Sequence, residues 1–128
     1  MLIEIESQND ICVLRVRGRF IMATDLDYLR LQTEEIKGRN FSKLLIDLSE
    51  VSSMGSTLIG FIVDLYTFTT KKADGRFTLA GAHPRVLEVL DLTRLSSVIP
   101  LAADTRSGLA ALRSRGPAPL PMNHARMA

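Results

Sequence analysis

Cysteine occurs once in 128 residues, at Cys12, so no internal disulfide can form and a disulfide-stapled scaffold is excluded. Its neighbours Ile11 and Val13 cast it as a small buried hydrophobe. Tryptophan is absent and aromatic residues make up 5% of the chain, too few rings for a base-stacking platform or an aromatic ligand cage. No apolar run approaches the ~20 residues of a membrane helix. The longest apolar-rich stretch, Leu58 to Phe68, contains Asp64, and no membrane insertion is expected. The N-terminus alternates apolar and acidic residues instead of presenting a basic stretch before an apolar run, so no export signal is predicted and the cytoplasm is the expected compartment.

An excess of one charge is also missing where it would matter. The sequence pI is near 9.0, yet residues 1–112 carry 13 Lys and Arg against 14 Asp and Glu, a net of −1. The surplus sits at Arg113, Arg115 and Arg126. Duplex binding needs clustered cations, and Arg15, Arg17 and Arg19, spaced by two on one strand face, read as a solvated face. Direct nucleic-acid binding is not expected.

What remains is 46% hydrophobic and 23% charged, an ordinary globular balance for one domain. Segments of period two and period 3.6 alternate along it, the pattern of layered strands and helices. Leu2–Ser7 and Ile11–Arg17, separated by Gln8-Asn9-Asp10, predict a hairpin whose second strand stops at Gly18. Thr24 and Asp27 form a capping-box variant for a helix running to Lys37, with Gly38 as its left-handed stop. Leu44–Leu48 predicts a central strand covered on both faces. A loop from Val51 to Gly55 then leads to a helix over Ser56–Lys71. Arg76–Ala80 is the next strand, and Pro84 suits the first position of a helix that buries Val86, Leu87 and Leu90 and ends near Thr93. Ser97–Leu101 reads as a short edge strand, and Asp104 as the cap of a helix over 105–112 in which Gly108 costs about 1 kcal/mol relative to Ala. The expected organisation is a domain over 1–113 and a basic tail, 114–128, with Pro117, Pro119 and Pro121, disordered in solution.

Small polar residues concentrate at Ser49-Glu50-Val51-Ser52-Ser53-Met54-Gly55-Ser56-Thr57. A hydroxyl at a helix N-terminus lies beside unpaired amides and the positive dipole end, where a phosphoryl group is accommodated. Ser56 is the leading modification candidate and Thr57 the second; simple capping by Ser56 is the commoner alternative. On the helix that follows, apolar residues cover an arc of about 220°, against the ~100° stripe of a core-facing helix. Burial between the sheet and a neighbouring helix explains that width, and so does a docked partner.

This inventory does not lead one to expect an enzyme. His124 lies in the tail, His83 precedes Pro84 as a residue leading into a helix, and no Ser-His-Asp set stands out. Ser56 lacks the flanking glycines of a nucleophile elbow, because Met54 and Leu58 hold those places. Neither a phosphate-cradling loop nor metal-ligand spacing occurs, and no catalytic residue, metal or cofactor is expected.

Asp47-Leu48-Ser49-Glu50-Val51-Ser52 resembles the Asp-Leu-Ser-Gly-Val-Ser signature of the STAS domain family, in particular of bacterial anti-sigma factor antagonists. Met54-Gly55-Ser56-Thr57-Leu58 takes the place of that family's Ile-Asp-Ser-Ser-Gly motif, and Leu87–Thr93 is similar to its Val-Leu-Glu-Leu-Thr helix. The resemblance implies a single α/β domain with a mixed sheet and helices packed against it. It implies phosphorylation at Ser56 by a partner that is both anti-sigma factor and serine kinase, with contact through Met54, Gly55, Ser56, Thr57, Leu58 and Ile59. Gly55 and Ile21 stand where the family carries acids, and Leu58 where it carries glycine. An unphosphorylated scaffold or accessory subunit of a signalling or transporter complex is the alternative, and a homodimer through the apolar margin stays open.

Overall fold

A computed structural model describes residues 2–20 and 24–113, without the side chains of residues 19, 20 and 24. The expected tail, 114–128, and the cap at Thr24 lie outside that description. The strands are β1 (Leu2–Gln8), β2 (Ile11–Phe20), β3 (Lys43–Met54), β4 (Arg76–Ala80) and β5 (Leu101–Ala102). The helices are α1 (Thr24–Lys37), α2 (Ser56–Thr70), α3 (Pro84–Leu92) and α4 (Thr105–Arg113), with a 3-10 turn at Leu95–Ser97.

The five strands form one mixed sheet in the order β1-β2-β3-β4-β5. The β1–β2 hairpin is antiparallel, and the remaining neighbours are parallel. Asn9 turns the hairpin in the left-handed region at φ 59°, which asparagine tolerates better than most residues. Asp10 then ties the turn to β3 by accepting from Ser42 Oγ at 2.8 Å and Lys43 Nζ at 2.9 Å. Those two donors hold the Asp10 carboxyl below its ordinary value.

Period-two alternation assigns the faces. Ile3, Cys12, Leu14, Val16, Leu44, Ile46 and Leu79 point into a core covered by α1, α2 and α3, and Leu29, Ile36, Leu58, Ile62, Leu65, Val86 and Leu90 meet them there. Ile11, Val13, Leu45 and Ala80 face the other way and are covered by Leu112 of α4. Leu44, Leu45 and Ile46 are all sealed, as the unbroken apolar run predicts. On the uncovered part of the second face, Arg15 pairs with Glu6 at 2.6 Å, while Arg17 pairs with Glu4 at 3.0 Å and Glu50 at 2.8 Å. Both cations are neutralised locally.

Four expectations require correction. β2 does not stop at Gly18: it continues to Phe20 through a register shift, and Gly18 takes φ 99° at that bulge. β3 does not end before Val51: it runs to Met54, and the expected loop from Val51 is strand paired with 18–20 of β2. Gly38 is not left-handed; α1 closes by bonds from Gly38 N to Glu34 O and from Arg39 N to Ile36 O. Ser97–Leu101 is not a strand. Arg94, at φ 63°, turns the chain into the 3-10 turn, Ile99 is buried, and only Leu101–Ala102 pairs with β4.

α4 is capped as expected: Asp104 Oδ1 accepts from Ser107 N at 2.8 Å, and Asp104 N donates to Ser107 Oγ at 3.3 Å. Gly108 has a packing role. A Cβ there would lie 2.6 Å from Leu45 Cδ1, so its absence lets α4 rest directly on β3.

Candidate functional site

The extended β3 carries the chain to the rim of the sheet and hands it to α2. Val51 and Met54 anchor this stretch, at 0% and 8% exposure, while Ser52 faces solvent. Gly55, at φ −107° and ψ −172°, is the N-cap of α2, with Gly55 O accepting from Ile59 N at 3.1 Å and no side-chain cap. Ser56 is therefore the first helical residue and not the cap. It is exposed, and its hydroxyl makes no hydrogen bond among the described residues. That geometry separates the two sequence readings of Ser56 and favours a presented hydroxyl. The amides of the first turn leave a partial positive charge beside it.

The six residues expected to meet a partner divide by burial. Ser56 is exposed, and Gly55, Thr57 and Ile59 are half-buried. Leu58, at 0% exposure, and Met54 belong to the core. Their side chains turn inward and support the rim from beneath.

The broad apolar arc of α2 is mostly filled from within. Leu58, Phe61, Ile62, Leu65 and Thr69 are buried. Phe68 tilts against Phe41 with centroids 6.3 Å apart, and Lys72 Nζ lies 3.9 Å from the Phe41 centroid while donating to Phe41 O. Tyr66 meets Phe77 edge-on at 5.4 Å. Val63, at 37% exposure, is uncovered, and Ile59, Tyr66 and Phe68 are partly so.

Beside Ser56, a groove of about 420 Å³ is lined by residues of α1 and α2. Leu26, Arg30 and Glu34 line one wall, and Ser56, Gly60 and Asp64 the other. Asp64 is engaged by Lys37 at 3.0 Å. Sequence reasoning missed this groove, because the packing of α1 on α2 is non-local; Leu26, 39% exposed, lines it.

Two polar residues brace the rim. His83, the N-cap of α3, places Nε2 2.6 Å from Ser49 O. Asp47 accepts from Ser49 N at 2.8 Å and from Thr105 Oγ1 at 2.9 Å, joining β3 to α4. An acid inside the otherwise apolar run Leu44–Leu48 was the available signal for Asp47. Among the described residues no three His, Cys, Asp or Glu side chains converge. Burial pushes the Cys12 thiol up to about 11. The exposed chemistry at the rim is thus a free hydroxyl beside a groove.

This architecture is shared. An anti-sigma-factor antagonist domain protein of Planctomyces limnophilus superposes with a TM-score of 0.77 at 24% identity, over 88% of this chain and 98% of its own. SpoIIAA, a Bacillus cell fate determinant, does so in its phosphorylated form with a TM-score of 0.67 at 15% identity, over 88% and 100%. At those identities the likeness is one of fold. In sequence, an anti-sigma F factor antagonist of Paenibacillus polymyxa is 26% identical over 100 residues, 77% of this chain and 84% of its own. The family model described as the STAS domain matches residues 3–108, and the chain belongs to the STAS domain family.

Proposed function

We propose that this protein is an anti-sigma factor antagonist. It binds an anti-sigma factor that is also a serine kinase, and phosphorylation of Ser56 by that partner lowers the affinity. The observation that carries this reading is the Ser56 hydroxyl, exposed and without a hydrogen bond among the described residues, at the first helical position of α2. A relative is named an anti-sigma F factor antagonist, and a structural neighbour is described in a phosphorylated form; both support the assignment. Contact is made by Gly55, Ser56, Thr57 and Ile59, on the rigid base of Met54 and Leu58. A phosphoserine adds about −1.5 to −2 charges. Set against an acidic or nucleotide-bearing surface, that charge costs several kcal/mol, and each ~1.4 kcal/mol is tenfold in affinity.

Intact mass spectrometry after incubation with ATP and the cognate kinase tests it. One added phosphate, lost in Ser56→Ala, is expected, together with weakened binding of Ser56→Asp. No phosphate and equal binding of Ser56→Asp would establish the second reading, a scaffold or accessory module that docks without modification. That reading is favoured by Gly55, since no carboxylate precedes Ser56.

A further inference from the structure

We infer that the groove between α1 and α2 is a receptor for the phosphoryl group of Ser56, with Arg30 as the residue that binds it. The inference rests on Ser56 being the modified residue and adds where the phosphoryl group goes. Arg30 and Ser56 line opposite walls of the same groove of about 420 Å³. The cations farther along α1 and just beyond it are already engaged, Lys37 by Asp64 and Arg39 by Glu35. Arg30 is exposed and makes no ion pair among the described residues. Its planar fork of donors is the chemistry that matches phosphate oxygens.

Space is provided as well. One helical turn beyond Ser56, on its own face, stands Gly60, and a Cβ built there meets nothing within 4 Å. A glycine inside a helix is unfavourable, and here it keeps the groove floor low next to the hydroxyl. Among the described residues, the other charges lining the groove are Glu34 from α1 and Asp64 from α2. Asp64 is offset by Lys37, which leaves Arg30 as the cation to meet a dianion. Modification then acts by filling the groove as well as by adding charge.

The test installs phosphoserine at position 56 during translation, so that it depends on no kinase, and follows the phosphorus resonance against pH. The free phosphoserine value is about 6. Pairing with Arg30 is expected to lower the midpoint by roughly half a unit to one unit relative to a phosphoserine peptide, discounted for partial solvent exposure. Arg30→Gln restores the peptide value, and Arg30→Lys restores part of it. Circular dichroism of both variants checks that the fold is kept, as the exposure of Arg30 leads one to expect. Equal midpoints in the parent and Arg30→Gln overturn the inference. That result leaves the proposed switch standing, whereas a kinase that ignores Ser56 removes the switch and leaves this titration intact.

Discussion

Leu58 and Ile59 are neighbours in sequence, and the structure gives the same substitution opposite meanings at the two. Leu58 has no exposure and sits in the core beneath α2. Leu58→Asp forfeits the roughly 2–5 kcal/mol of a buried leucine and strands a carboxylate without a partner, which adds several more. The sum consumes the ~5–15 kcal/mol that holds a domain together, so the variant is expected unfolded. Ile59 is only half-buried. Ile59→Asp loses about half of the ~1.5–3 kcal/mol of a fully buried isoleucine, and an acid near the start of α2 returns roughly 0.3–1 kcal/mol. The net cost is about 1 kcal/mol or less, a fall in Tm of only a few degrees. Binding suffers instead, by tenfold or more, because a charge enters the apolar margin of the contact. Thermal denaturation followed by circular dichroism, with calorimetric titration against the partner kinase, separates the effects. A folded Leu58→Asp refutes the account of the core, and a folded Ile59→Asp with unchanged affinity refutes the account of the surface.

Gly60→Ala is expected to stabilise by about 0.5–1 kcal/mol, since its Cβ meets open space. Gly108→Ala is expected to destabilise by about 1 kcal/mol despite the same propensity gain, because its Cβ lies 2.6 Å from Leu45 Cδ1 in a sealed layer; paired urea melts check both signs. Cys12, 1% exposed and with its thiol pushed up to about 11, should resist a disulfide reagent at pH 8 until the protein is unfolded, and stoichiometric native labelling within minutes would contradict this. Asp10 and Asp104 are depressed below their ordinary 3.8, the first by Lys43 and Ser42 and the second by the Ser107 N–H and hydroxyl. Their support is therefore present above about pH 4 and lost as pH falls through the folded values, so Asp104→Asn should flatten the acid limb of a Tm profile. Gly55→Asp should fold and gain a few tenths of a kcal/mol, because φ −107° is open to any residue and an aspartate can cap α2.

Much of the fold was legible because periodicity reports burial. The nearly continuous apolar run Leu44–Leu48 marked the central strand, and Pro84 marked the start of α3. The errors fall where tertiary pairing overrides local chemistry. Ser49, Ser52 and Ser53 have loop composition, but Val51 and Met54 interrupt them with buried apolar anchors, and β2 supplies a ladder as far as Phe20. Gly18 reads as a terminator, yet its positive φ serves a bulge inside the strand. Gly108 reads as a weakness in α4, and the reason for it, Leu45, lies 63 positions earlier in the chain. Arg30 carries no local signal, since its significance is that α1 lies across from Ser56.

The position of Ser56 explains why its sequence neighbours can diverge while its presentation does not. Exposure of the hydroxyl follows from β3 running to the rim, from the burial of Val51, Met54 and Leu58, and from α2 beginning one residue after an extended backbone. None of these features requires a carboxylate at residue 55. The phi angle there is one that aspartate adopts, and glycine is nearly its equal as a cap. Leu58, in the place of the glycine of the family motif that this junction resembles, is used here as core. The acids of the motif are therefore separable from the scaffold, and their absence changes the charge that a kinase meets beside Ser56. With Gly55 neutral and Arg30 making no ion pair among the described residues, a phosphoryl group placed on Ser56, as proposed, meets less repulsion from its own chain than one flanked by carboxylates. The modified state of this protein should accordingly be the more stable for it, and restoring the acid at residue 55 should act against that state even as it caps the helix.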